Sequence, residues 1–306
     1  MQIFEEVQSK TINIVEADTK QFHLANPIQA KLSYWQSLTI VAWFLLAALI
    51  PYAPKVNYQL KNSPPFESSL LGRDGSGRDV LVHGVMAVRL YILPIVIMLG
   101  VAFGIGLILA MLGAELRPIR ILWFDAWKAS AGIISVILDI LEALPGIVIV
   151  LILVTNLEHP NLNWVAMILG VIGSAKVARE LILKIRVLKS SDFIDGAIAS
   201  GVSWWQIVFK HILYRNSFTV LVNQAINLII LLILLEISFT YIADTVWSPC
   251  ILYPPDFPSW GKMIFEGSAN LSTWWIVAWP MFLLFLLLNS FRYIGNTVIR
   301  IREEAK

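Results

Sequence analysis

Long apolar stretches separated by short polar segments run through most of this chain. Six stretches are free of charged residues or nearly so: residues 32–54, 90–114, 129–157, 161–175, 216–235 and 267–291. The third contains Asp139 and Glu142, and the fourth is shorter and runs into Lys176. A bilayer core is about 30 Å thick, so a spanning helix needs roughly 20 apolar residues. The pattern predicts an all-α integral membrane protein with about six transmembrane helices.

Composition agrees with a lipid environment. Of the 306 residues, 58% are hydrophobic and 14% are charged, and the mean hydropathy is +0.72. Soluble domains usually carry about 25% charged residues. The net charge of +2 is too small to indicate nucleic-acid binding.

The placement of basic residues predicts the orientation. If the N-terminus is cytoplasmic and six helices follow, 17 of the 23 Lys and Arg residues lie inside and 6 lie outside. Positive residues concentrate on the cytoplasmic side of membrane proteins. We therefore expect both termini inside, a cytoplasmic segment at residues 1–34, a transmembrane domain at residues 35–300, and a cytoplasmic tail at residues 301–306. Residues 1–31 contain no long apolar run, so we expect no cleaved signal peptide.

Several kinds of catalytic chemistry have no match in the sequence. The phosphate-binding pattern GxxxxGK[ST] does not occur, which excludes ATP hydrolysis by that machinery. The four histidines are scattered, without a second ligand at metal-site spacing. Cys250 is the only cysteine, so an internal disulfide is impossible. We expect no metal site and no catalytic residue in this chain.

A glycine-rich run in the first outer loop is the first candidate for a functional motif. Residues 71–80 read Leu-Gly-Arg-Asp-Gly-Ser-Gly-Arg-Asp-Val, and the glycines with an Asp-Gly step indicate tight turns. We select Asp74, Gly77, Arg78 and Asp79 as candidates. They form either a functional outer-loop motif or only a turn with a surface ion pair.

Three carboxylates in or directly beside apolar stretches are candidates for the translocation pathway: Asp139, Glu142 and Glu236. A charged side chain at the centre of a spanning helix costs about 2.5–3.5 kcal/mol, so such residues tend to face protein or water. Each either lines a cavity or makes structural hydrogen bonds. In the second helix, Gly100, Gly104, Gly106 and Gly113 predict a close helix contact.

The inner loop at residues 190–216 is the most informative segment. Gly201 and Ser203 separate two predicted short helices, of which the second is amphipathic enough to lie at the membrane surface. This loop resembles the "EAA" loop of bacterial ABC importer permeases. The matching residues are Asp195, Gly196, Ala197, Gly201 and Phe209, followed by His211, Ile212 and Leu213. Asp195 replaces Glu, Gly196 replaces the first Ala, and Tyr214 stands where the family has Pro.

Further segments resemble one branch of these permeases. Residues 71–81 are similar to the "LGTDxxGRDVL" run of the dipeptide/oligopeptide permease family, second-subunit (C) type, although Arg73 replaces Thr. Residues 123–125 and 139–145 are similar to that family's third-helix region. Residues 236–239 and 258–267, which include Trp260, are similar to its fifth helix and the loop that follows. The resemblance covers about residues 35–300.

This resemblance implies a type I ABC importer transmembrane fold in the bacterial inner membrane. It implies four kinds of partner besides the lipid bilayer: a homologous second permease subunit, two cytoplasmic ATPase subunits, and an extracytoplasmic substrate-binding protein. ATP and Mg²⁺ would be bound by the ATPases, and this chain would bind no cofactor and no nucleic acid. Short peptides are the expected substrates; nickel chelates, polyamines, cationic peptides and glycosides remain open.

The resemblance also implies alternating access, in which closure of the ATPases pulls on the inner loop. The alternative is a self-sufficient secondary transporter or channel, although no inverted hydropathy repeat is evident. A membrane enzyme is a more distant alternative, because no catalytic constellation is present.

Overall fold

A computed structural model shows a mostly helical membrane protein. It describes residues 35–36, 38–40, 42–43, 46–47, 49, 55–114, 120–121, 124–143, 145–156, 161–189, 196, 200–202, 206, 217–246, 252 and 257–304. Eight helices are traced within these residues: α1 (Val80–Met86), α2 (Arg89–Gly113), α3 (Ala126–Ala143), α4 (Gly146–Thr155), α5 (Leu162–Lys189), α6 (Phe218–Val246), α7 (Trp260–Ser268) and α8 (Trp274–Glu304). The described residues between 35 and 49 are also helical.

Three described helical segments are long and apolar enough to cross a membrane. They are Val80–Gly113, Phe218–Ile242 and Trp274–Ile299. A fourth span results if Ala131–Ala143 and Gly146–Ile152, which meet at 79°, count as one. Pro145 lies at this break, and proline disfavours helical backbone in the residue before it.

The all-α membrane fold predicted from the sequence is confirmed. The predicted number of about six spans stays a prediction, because residues 35–49 are described only in part and α5 is not among the segments above. Helix α5 is 28 residues long, so it extends well past the apolar stretch 161–175 that marks its beginning.

A short β-hairpin that the apolar pattern does not predict precedes α3. Strands β1 (Arg120–Ile121) and β2 (Phe124–Asp125) pair antiparallel, with Arg120 opposite Asp125. It lies in the connection between α2 and α3.

Helices α2 and α5 form the most extensive helix pair among the described residues. A Cβ on Gly170 of α5 would lie 2.8 Å from the carbonyl oxygen of Met98, so the two backbones approach closely there. A Cβ on Gly106 of α2 would likewise lie 2.8 Å from Cγ1 of Val177 on α5. Gly106 and Gly113 make the close helix contact that the sequence predicts, whereas a Cβ on Gly100 or Gly104 would meet nothing within 4 Å in the described part of the chain.

The short helix α7 lies against two long helices of the bundle. It packs against both α6 and α8, and its first residue, Trp260, is fully buried. A buried serine, Ser259, caps its N-terminus by accepting a hydrogen bond from the backbone N–H of Lys262 at 3.2 Å. Serine is among the preferred residues at this position because its oxygen satisfies a free N–H.

Candidate functional site

The outer-loop motif is built round a buried ion pair. The Arg78 Nε lies 2.7 Å from Oδ2 of Asp74, and the two side chains are only 3% and 0% exposed. The other Asp74 oxygen accepts the backbone N–H groups of Ser76 and Arg78, both at 2.9 Å. The carboxylate therefore holds the turn in shape. The alternative that residues 77–79 form only a turn with a surface ion pair is corrected, because Arg78 pairs with Asp74 and both side chains are buried.

Two neighbours of Arg78 complete the turn. Asp79 caps α1, since its side chain accepts from the backbone N–H groups of Leu81 and Val82. Gly77 has φ +82°, and a Cβ there would collide with the backbone carbonyl of Asn57. Only glycine adopts this conformation beside another backbone without strain.

Arg78 also attaches the loop to the rest of the bundle. Its Nη2 donates to Glu266 on α7, at 3.3–3.4 Å from the two carboxylate oxygens. The indole Nε1 of Trp260, at the other end of α7, donates to the backbone oxygen of Gly84 at 2.8 Å. Its ring packs against Tyr91, with the ring centroids 5.4 Å apart. The outer loop, α1 and α7 thus form one connected structure.

Glu236 is buried at the centre of a cluster of hydroxyl groups. Tyr91 Oη donates to its Oε2 at 2.6 Å. Ser259 Oγ and Thr240 Oγ1 donate to its Oε1 at 2.9 and 3.0 Å. All four residues are buried, and they come from α2, α6 and the residue that precedes α7. Of the two interpretations left open for Glu236, structural hydrogen bonding describes this arrangement.

Asp139 and Glu142 share one cation, Arg179 of α5. The guanidinium lies 2.7 Å from Asp139 and 3.0 Å from Glu142. Unlike the two clusters above, this group is accessible, because Asp139 is 65% exposed and Arg179 is 38% exposed. The carboxylates both make structural ion pairs and present an open face.

A further polar contact lies one residue beyond Arg179. Glu180 accepts a hydrogen bond from the amide of Gln224 on α6. The sequence reasoning missed both Arg179 and Gln224 as partners, although a glutamine within an apolar stretch is a signal that could have marked the second. Helix α5 is therefore joined to α3 by one residue and to α6 by the next.

The inner loop is described at only a few positions. Ser200 donates from its backbone N–H to the carbonyl of Gly196 at 3.0 Å, and Gly201 has φ +76°. These two features match the predicted helix end at Gly201. Both glycines are exposed. Asp195, Ala197, Phe209 and the outer-loop cysteine Cys250 lie outside the described residues.

Within the described part of the chain, no group of three or more His, Cys, Asp or Glu side chains is placed to hold a metal ion. The positions singled out from the sequence fall into three separate places: the outer-loop cluster that continues to Glu236, the accessible group at Arg179, and the inner loop.

Comparison with known proteins identifies relatives over most of the chain. Residues 126–301 match the family described as "Binding-protein-dependent transport system inner membrane component". The chain is 26% identical over 263 residues to the glutathione transport system permease protein GsiD of Pectobacterium atrosepticum, covering 85% of this chain and 81% of the relative. It is also 26% identical over 266 residues to the oligopeptide transport system permease protein OppC of Haemophilus influenzae, covering 85% and 77%.

The fold has a counterpart among solved structures. An inward-facing form of the MetNI methionine ABC transporter contains a chain that superimposes with a TM-score of 0.52 at 18% identity. The match covers 73% of this chain and 96% of that one. The predicted type I ABC importer fold is confirmed.

Proposed function

This chain belongs to the family of binding-protein-dependent transport system inner membrane components, and we propose that the importer of which it is a permease subunit carries short peptides. The observation that carries the proposal is the similarity, over most of the chain, to permeases named for oligopeptide and glutathione transport. Family membership favours a permease subunit over the self-sufficient secondary transporter or channel that the sequence alone left open.

The proposed complex contains this chain, a homologous second permease, two cytoplasmic ATPases and an extracytoplasmic binding protein. ATP and Mg²⁺ bind to the ATPases, and this chain is not itself an enzyme. Both termini are cytoplasmic. The name of the family supports the dependence on a binding protein. The excess of basic residues on the predicted inner side supports the orientation.

The inner loop at residues 190–216 is the proposed contact with the ATPases. Its resemblance to the coupling loop of ABC permeases rests on Asp195, Gly196, Ala197, Gly201 and Phe209. The exposure of Gly196 and Gly201 and the left-handed turn at Gly201 support this role, because a small-residue turn lets backbone enter a groove on a partner.

The face of α3 that carries Asp139 is the proposed side of the translocation pathway. A carboxylate with this exposure is costly in hydrocarbon, so its surroundings in the assembled complex are water or the second permease. Arg179 balances part of the charge and leaves the group with two carboxylates for one guanidinium. Such a surface suits the passage of a zwitterionic peptide better than that of an apolar solute.

The test is reconstitution of the complete complex in liposomes with the binding protein outside and ATP inside. ATP-dependent uptake of labelled di- and tripeptides is expected, with competition by unlabelled peptides. A nickel chelate, a polyamine and a glycoside serve as matched competitors. Uptake of one of these three without uptake of peptides would overturn the substrate class. Ion-driven uptake by this chain alone would overturn the role as a permease subunit.

A further inference from the structure

Helix α6 joins two regions that have different tasks in the proposed import cycle. It begins at Phe218, directly after the inner loop 190–216, and Glu236 lies eighteen positions later. At 1.5 Å per residue, Glu236 is about 27 Å along the helix from its inner end. A displacement of the inner loop that moves α6 as a rod therefore moves Glu236 too.

At this outer position Glu236 holds the start of α7. Ser259 has two hydrogen bonds at once, because its hydroxyl donates to Glu236 Oε1 at 2.9 Å and accepts from the backbone N–H of Lys262 at 3.2 Å. The same oxygen that caps α7 is thus bound to α6. Any shift of α7 along α6 breaks either the cap or the bond to the carboxylate.

The backbones of the two helices also meet without a gap. A Cβ on Gly261 of α7 would lie 3.0 Å from the Cβ of Thr240 and 3.1 Å from the Cα of Ile237. It would also lie 3.2 Å from Glu236 Oε1. Close packing of this kind opposes movement of α7 against α6.

The contact is polar where apolar packing would be the less costly way to join two helices. A carboxylate and three hydroxyls are buried within a bundle of apolar helices. Replacing both partners of a buried hydrogen bond by apolar groups of the same shape can be nearly neutral or stabilising. What directional hydrogen bonds add is one fixed register, since each donor has to meet a particular oxygen.

We infer that Glu236 is a positioning residue that makes α6 and α7 move as one body. A displacement of the inner loop then moves α6, and α7 moves with it by the same amount, so that the displacement reaches the outer face of the permease. Tyr91 donates to the other carboxylate oxygen, so the outer end of α2 belongs to the same body. This transmission rests on the proposed function, in which residues 190–216 contact the ATPases.

A reversible cross-link tests whether α7 moves against α6. Tyr241 of α6 and Phe265 of α7 lie outside the Glu236 cluster, and their ring centroids are 5.6 Å apart. Cysteines at these two positions, with Cys250→Ser to remove the native thiol, are bridged by a short dithiol on oxidation. In the complete complex, uptake and substrate-stimulated ATP hydrolysis are expected to be equal before and after oxidation. Loss of uptake on oxidation that returns on reduction would overturn the inference. Each single-cysteine variant serves as the control.

A second measurement tests Glu236 itself through the uptake achieved per ATP hydrolysed. Glu236→Ala removes the acceptor for three buried hydroxyls, and the ratio is expected to fall about tenfold or more. A purely structural loss would lower uptake and hydrolysis together and leave their ratio unchanged. Ser238→Ala is the matched control, because this exposed hydroxyl bonds only within α6, to Leu234 O at 2.8 Å, among the contacts described.

The wild-type complex separates this inference from the proposed function. Absence of ATP-dependent uptake by wild type contradicts the proposed function. An unchanged uptake per ATP in Glu236→Ala, measured beside an active wild type, contradicts the role of Glu236. The expected result is equal activity of the double-cysteine complex before and after oxidation, together with a low ratio in Glu236→Ala and a normal ratio in Ser238→Ala.

Discussion

Arg78 in the outer loop donates to Glu266 on α7 at 3.3 Å, although 188 positions separate the two residues. The same guanidinium neutralises Asp74 within its own turn. One arginine therefore shapes the outer loop and also attaches it to the C-terminal part of the chain.

Replacing Arg78 is expected to destabilise the protein strongly. Arg78→Leu leaves the carboxylate of Asp74 buried without its cation, and breaking a buried pair typically costs about 3–5 kcal/mol. The measurement is the thermal unfolding midpoint of the purified protein and its abundance in the membrane. Lys61→Ala is the control, since this cation is exposed in the same loop. Equal midpoints for the two variants would contradict the structural role of the ion pair.

Gly77→Ala is expected to destabilise the same turn for a different reason. The φ of +82° is unfavourable for alanine, and the new Cβ would also collide with the Asn57 carbonyl. Backbone strain of this kind costs on the order of 1–3 kcal/mol before the collision is added. Gly75→Ala is the matched control, because its Cβ would meet only Asn62 Oδ1 at 3.7 Å. Unfolding midpoints that fall equally in both variants would refute this explanation.

Charge balance at Arg179 is expected to control insertion and assembly. Arg179→Leu leaves Asp139 and Glu142 without their shared cation beside apolar surface, so the amount of assembled complex should fall. Adding Asp139→Asn and Glu142→Gln to the same chain removes the unpaired charges and should restore assembly. Quantitative blotting of membrane fractions measures both. A triple variant no better than Arg179→Leu would show that the guanidinium has another role.

The orientation is open to a direct test with reporter fusions. Reporters at about residues 65 and 260 should read outside, and reporters at 195 and 306 should read inside, because basic residues are concentrated on the predicted inner side. If a reporter at 195 reads outside, the inner loop cannot contact cytoplasmic ATPases, and the proposed coupling is contradicted.

The inner loop is expected to carry coupling without affecting insertion. Gly201→Leu places a bulky side chain at φ +76°, and overpacking at a contact typically costs about 1–3 kcal/mol. Since about 1.4 kcal/mol corresponds to a tenfold change in an equilibrium constant, the binding constant of this loop for the ATPases should fall about ten- to hundredfold. Asp195→Lys should act similarly by reversing the charge at a predicted helix N-terminus.

Uptake and substrate-stimulated ATP hydrolysis by the complete complex measure the effect of both inner-loop variants. Membrane abundance is the internal control and should stay near normal, because neither residue lies in a predicted spanning helix. Normal transport by both variants at normal abundance would show that this loop is not the coupling site.

The apolar pattern by itself determined that this chain is a helical membrane protein, because any helix that crosses a bilayer must present about 20 apolar residues whatever it packs against. It also marked the charged positions that need an explanation. Asp139, Glu142 and Glu236 stand out in sequence because a carboxylate in or beside an apolar helix is costly.

Only the tertiary structure decided which side chain binds each of these carboxylates. Arg179 reaches Asp139 across 40 positions, and Tyr91 reaches Glu236 across 145. The same is true of the glycines in α2, where Gly106 meets α5 and Gly100 does not. A sequence shows that a buried charge needs a partner, but the partner is set by which helices pack together and at what rotation, and that depends on the whole bundle.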